Sequence, residues 1–136
     1  LPQGVISHMY RDIAAHNIGT ITHVGLKTFA DPRNGGGKLN DVTKEDLVKV
    51  VNIEGQERLL YKGFPINVVF LRASYCDEYG NCWYKGTMRN FNVVMATAAD
   101  TVIAETEYLV PVGEIEPENV HTYGMCVNYI VEGDRK

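Results

Sequence analysis

Ile66-Asn67-Val68-Val69-Phe70-Leu71-Arg72-Ala73-Ser74 is an apolar run centred on Val68-Val69-Phe70-Leu71. It has the length and residue types of a strand buried inside an α/β sheet. Asp77-Glu78-Tyr79-Gly80-Asn81 then reads as a turn, with 82–85 leading back from it. Downstream, 91–99 reads as a short helix, 101–107 as a strand and 127–131 as a final strand. Upstream, Ser7 suits an N-cap for a helix carried by Ile6, Met9, Tyr10, Ile13 and Ala14, which ends near Asn17-Ile18-Gly19. Residues 20–26 are strand-like, and 28–40 break into a loop through Asp31-Pro32-Arg33-Asn34 and Gly35-Gly36-Gly37. Thr43 with Asp46 reads as a short helical turn, while 48–53 and 58–61 flank Glu54-Gly55 as a hairpin. The expected class is α/β: a mixed open sheet with flanking helices, without repeats and without a linker that divides it.

Composition narrows the function classes. Apolar residues make up 45% and charged residues 22%, the balance of a chain that folds around a core. No apolar run approaches the ~20 residues of a membrane helix. The net charge of -4 comes without a basic stripe, which argues against nucleic acid as a partner. Cys76, Cys82 and Cys126 are sparse and odd in number, fitting reduced thiols of a cytoplasmic protein better than a disulfide framework. Cys76 and Cys82 flank the 77–81 turn, so a bridge or half a zinc site has to be weighed; no second ligand pair follows, and no metal is expected.

Spacing alone yields no catalytic centre. Asn34-Gly35-Gly36-Gly37-Lys38-Leu39 fails as a phosphate loop, because Pro32 stands where the first glycine belongs and Leu39 where a hydroxyl should hold a metal. His8 and His16 are about two helical turns apart, too far to share one ion. Glu105 and Glu107 share a strand face, but solvated surface charges are the commoner explanation. Pro2-Gln3-Gly4 places a carboxamide between a stiff and a permissive residue, an arrangement that also suits an ordinary turn.

Taken together, several segments resemble one family. Leu1-Pro2-Gln3-Gly4-Val5-Ile6-Ser7-His8, then Gly19-Thr20-Ile21-Thr22-His23-Val24-Gly25-Leu26-Lys27-Thr28-Phe29 and Asp31-Pro32-Arg33, are similar to the first half of propionate or acetate CoA-transferases of family I. Gly36-Gly37-Lys38-Leu39-Asn40, Tyr61-Lys62-Gly63-Phe64-Pro65-Ile66 and Arg72-Ala73-Ser74-Tyr75 continue the likeness. Arg89-Asn90-Phe91-Asn92 and Met95-Ala96-Thr97-Ala98-Ala99 resemble the 3-oxoacid CoA-transferase branch.

The resemblance implies the CoA-transferase (NagB/RpiA-like) fold, with 1–136 as part of an N-terminal, alpha-type domain. The glycine-rich start and the second half, which carries the nucleophilic glutamate, are expected outside this sequence. It further implies transfer of CoA between a short-chain acyl-CoA and a carboxylic acid through a glutamyl-CoA thioester. Coenzyme A enters as substrate, with no separate cofactor. Gln3 is the implied oxyanion or carboxylate donor. Gly4, Val24, Gly25, Leu26, Thr28 and Phe29 are the implied substrate-binding residues, the bulk of Phe29 favouring short acyl chains. The implied partners are the remaining half of the enzyme in a homo- or hetero-oligomer. The implied location is the cytoplasm, or the mitochondrial matrix in a eukaryote. A non-catalytic α/β binding module stands as the alternative, and a sugar-phosphate isomerase of the same broad fold as a third reading.

Overall fold

The computed structural model describes residues 1–133, which form two compact units, Leu1–Phe64 and a second from Pro65 onward. In the first unit, helix α1 spans Gln3–Ala14, and Val5 and Met9 are buried one turn apart on one face. The Pro2-Gln3-Gly4 turn expected from sequence is the start of this helix. Pro2 is the N-cap, and its carbonyl accepts from the N–H groups of Val5 (3.0 Å) and Ile6 (3.1 Å). Ser7 is not the cap: its hydroxyl donates to the Gly4 carbonyl at 2.8 Å from inside the helix.

Strands β1 (Gly19–Thr22), β2 (Val48–Ile53) and β3 (Gln56–Lys62) form an antiparallel sheet in the order β1-β3-β2. The hairpin expected at Glu54-Gly55 is present, and both residues take positive φ (51° and 78°), as a two-residue hairpin turn of the right twist requires. Leu59 and Tyr61 alternate inward from β3 and pack with Val5, Met9 and Val48, with Ile13, Leu26 and Leu47 at the margin. β1 is shorter than the 20–26 reading because the Thr22 hydroxyl accepts from Val24 N–H at 3.2 Å and the chain turns there. No helical turn opens at Thr43. Asn40 Oδ1 accepts from its backbone N–H (2.9 Å) and its hydroxyl (3.0 Å), and Asp46 pairs with Lys38 at 2.5 Å instead of capping.

In the second unit, β4 (Ile66–Asp77), β5 (Cys82–Trp83), β6 (Ala99–Val110) and β7 (Tyr129–Glu132) form a mixed sheet in the order β5-β4-β6-β7. β4 and β6 run parallel, as do β6 and β7, while β5 returns antiparallel to β4. Helix α2 (Arg89–Ala96) makes the crossover from β5 to β6 and starts two residues earlier than expected. Val69, Leu71, Ala73, Val102 and Ala104 are buried with Ala96 of α2. The opening run of β4 is therefore buried on one face only; its other face leaves Phe70 73% exposed. The mixed α/β class holds, with strands divided between two sheets. No helix among the described residues is long and apolar enough to cross a membrane.

Candidate functional site

The expected site residues all lie in the first unit. Gln3 is the first residue of α1 and exposed, and its carboxamide makes no hydrogen bond among the described residues. The first backbone N–H groups of a helix have no intrahelical acceptor, so Gln3 and Gly4 present donors from this end. A Cβ at Gly4 would meet nothing within 4 Å in this chain. Val5, just inside the helix, packs in the cluster that Leu26 borders, which joins this terminus to the loop at 23–37.

That loop is held by its own polar network. Tyr61, fully buried on β3, donates its hydroxyl to the Val24 carbonyl at 2.8 Å. Burial, and secondarily the charge of Asp31, pushes the Tyr61 phenol above its usual range. Gly25 follows at φ 95°, and a Cβ there would run into the Tyr61 hydroxyl. Thr28 donates its hydroxyl to the Gly25 carbonyl (2.7 Å) and accepts from Ala30 N–H (3.2 Å). Phe29 and Val24 are exposed at 67% and 41%. Of the six residues expected to bind substrate, these two present side chains outward from the loop. Leu26 faces the core cluster, and the Thr28 hydroxyl is engaged within the loop.

Asp31 is the hub. Its side chain is 1% exposed, and its carboxylate accepts from Arg33 Nη2 (2.7 Å), Arg33 Nε (2.9 Å), Lys27 N–H (2.9 Å) and Arg33 N–H (3.1 Å). The fork of Arg33, then the Lys27 amide, holds this carboxyl well below the ordinary carboxylate range. Arg33 reaches on to Glu57 of β3 at 3.0 Å. Lys27 sits at φ 62°, a left-handed conformation that its hydrogen bond to Asp31 supports. Reading along the sequence missed this latch. Asp-Pro-Arg is a helix-start signal in miniature, with Asp31 capping the 3-10 turn Pro32–Asn34 and proline at its first position.

Other expectations fall differently. A cavity of about 670 Å³ in the first unit is lined by His8, Asp12, His16, Thr20 and Thr22, and by none of the expected substrate-binding residues. Asp12 there is engaged by Thr20 Oγ1 (2.6 Å) and Asn17 Nδ2 (3.0 Å). In the second unit, Glu105 and Glu107 share the guanidinium of Arg72 at 3.5 and 3.3 Å, so they act as ion-pair partners. No group of three or more His, Cys, Asp or Glu among the described residues is arranged to hold a metal ion.

Comparison with known proteins bears directly on this arrangement. A family model described as coenzyme A transferase matches residues 1–133. The caffeate CoA-transferase of Acetobacterium woodii is 43% identical over 96% of this chain, which corresponds to 26% of that protein. The alpha subunit of the acetoacetyl-CoA:acetate/butyrate CoA transferase of Clostridium acetobutylicum is 37% identical over 96% of this chain and 54% of its own length. The crystal structure of the acyl-CoA transferase YdiF apoenzyme from Escherichia coli O157:H7 superposes with a TM-score of 0.92 at 36% identity, over 98% of this chain and 27% of that one. The chain thus spans about a quarter of the longer relatives and about half of the alpha subunit. With the family model matched across the described residues and the fold shared, this chain belongs to the coenzyme A transferase family.

Proposed function

We propose that this chain supplies part of the first, alpha-type domain of an enzyme that moves CoA between a short-chain acyl-CoA and a carboxylic acid. The observation that carries this reading is the family match over 1–133, which takes in the Gln3 helix start and the 23–37 loop together. In the reaction, a glutamate carboxylate from outside these residues attacks the thioester carbonyl, and an acyl-glutamyl anhydride forms as CoA thiolate leaves. The thiolate returns to the glutamyl carbonyl, giving the glutamyl-CoA thioester and the free acid. The acceptor acid then reverses both steps. The nucleophile is already charged at neutral pH, so placement and oxyanion stabilisation are the main tasks left to the protein.

Gln3 is the donor in this scheme. Its exposed, uncommitted carboxamide, beside the positive end of a 12-residue helix, suits an oxyanion or a substrate carboxylate. Val24 and Phe29 would border the acyl chain, and Gly4 leaves room for close approach. The rest of the site, including the glutamate, is assigned to the remaining part of the enzyme or to a partner subunit. The Clostridium relative, an alpha subunit by name, supports that division. A cytoplasmic location goes with the same reading.

Gln3→Ala in the complete protein tests the assignment. By analogy with removing one oxyanion donor, kcat should fall about 10²–10³-fold with KM little changed. A kcat within twofold of the parent would remove Gln3 from the chemistry.

A further inference from the structure

Cys76 on β4 and Cys82 on β5 stand directly opposite each other across the antiparallel pair. Their sulfurs are 3.6 Å apart, and both residues are fully buried. The neighbouring position shows which kind of pair they form: Asp77 N–H donates to the Asn81 carbonyl at 3.0 Å. Residues 76 and 82 are therefore the adjacent non-hydrogen-bonded pair, where facing Cα atoms approach to ~4.5 Å, inside the span that a disulfide bridges. Side-chain rotation alone brings the sulfurs to bonding distance.

We propose that Cys76 and Cys82 form a dithiol site that two-electron oxidation closes into a cross-strand disulfide while the protein stays folded. The proposed transfer chemistry does not use these residues. With an azo oxidant such as diamide, one of the two sulfurs adds to one nitrogen of the N=N bond and the other nitrogen takes up a proton. The second sulfur then attacks the first, breaking its S–N bond and forming the S–S bond. The two electrons and two thiol protons leave on the hydrazine product. Both cysteines are buried, so the oxidant reaches them by local opening of β5, which is only two residues long and follows a turn whose Glu78 and Tyr79 are exposed.

The bond would also fasten what β5 carries. Cys82 N–H donates to the Thr122 carbonyl (2.9 Å), and its own carbonyl accepts from His121 (2.9 Å) and Thr122 (3.2 Å). A covalent link at Cys82 thus ties the 121–122 segment to β4. Cys126, partly buried against the same core cluster, is an internal control.

The test is diamide treatment of the folded protein, followed by a maleimide quench under denaturing conditions and peptide mass mapping. Both cysteines fall in one tryptic peptide, 73–85, between Arg72 and Lys85. That peptide should appear two hydrogens lighter and free of maleimide, while Cys126 carries one label and the far-UV spectrum is unchanged. Amide exchange at Asp77 and Gly80 should slow by about tenfold on oxidation, and recover with reductant. Two maleimides on 73–85 after oxidation would overturn the proposal. A bridge to Cys126, or closure seen only once the protein has unfolded, would overturn it equally.

Discussion

Gly25 and Tyr61 define the anchoring of the candidate substrate loop, and their coupling can be measured. At φ 95°, alanine is strained at position 25, a cost of about 1–3 kcal/mol. Its Cβ would also strike the Tyr61 hydroxyl and sit 3.2 Å from Ala30 Cβ and 3.3 Å from Leu59 Cδ1. Overpacking of that kind adds about 1–3 kcal/mol, so Gly25→Ala should destabilise by roughly 2–6 kcal/mol. Tyr61→Phe loses the 2.8 Å bond to the Val24 carbonyl and should cost about 1 kcal/mol. The phenylalanine also lacks the oxygen that the new Cβ strikes. The double variant should therefore be more stable than the sum of the single effects by about 1–2 kcal/mol. Urea unfolding of the four proteins, with hydrogen exchange at the β3 amides of Leu59 and Tyr61, reads the cycle. Additivity within ~0.5 kcal/mol would refute the contact that this reasoning places at the heart of the loop.

Three further outcomes follow from the same structure. Leu71→Ala, at a position 1% exposed in the core of the second unit, should cost about 2–5 kcal/mol, reported by the fluorescence of Trp83, the sole tryptophan. Asp31 has a folded-state pKa depressed by Arg33, so its contribution is present above the unfolded value of ~3.9 and is lost as pH falls through the lower folded value. Acid titration of Asp31→Asn should lack that component, and an unchanged acid limb would show that the latch contributes nothing. Phe29→Ala in the complete enzyme should shift kcat/KM toward longer acyl-CoA by about 10-fold per added methylene accommodated. An unaltered chain-length profile would place the acyl chain elsewhere.

Much of the fold was legible because its signals are local. The β2–β3 hairpin announced itself through Glu54-Gly55, and β4 through its apolar run and the Asp77–Asn81 pair that closes it. Helix α1 was legible in its apolar spacing but not in its start. Ser7 looks like a cap by residue type, whereas Pro2 performs the task with its carbonyl and pre-set φ of -62°. Thr43 and Asp46 misled for a similar reason: Asn40 and Lys38, a few residues away, compete for the same groups. At the site, Gln3 and the 23–29 segment came from resemblance rather than from spacing. The Asp31–Arg33–Glu57 latch and the Tyr61 anchor were out of reach because each joins the loop to β3, tens of residues away, and no local pattern encodes that pairing. The division into two units was equally silent, for only Gly63-Phe64-Pro65 separates β3 from β4 and no longer linker marks the boundary.

The central claim, that this chain serves a CoA-transferase working through a glutamyl-CoA thioester, is tested most directly by trapping that intermediate. The complete protein would be incubated with a short-chain acyl-CoA and no acceptor acid, then digested and mapped by mass. The account predicts a CoA thioester on one glutamate outside residues 1–133, discharged on adding a carboxylic acid and greatly diminished in Gln3→Ala. A covalent CoA adduct on a glutamate within these residues, or acyl transfer proceeding with no adduct at all, would contradict it.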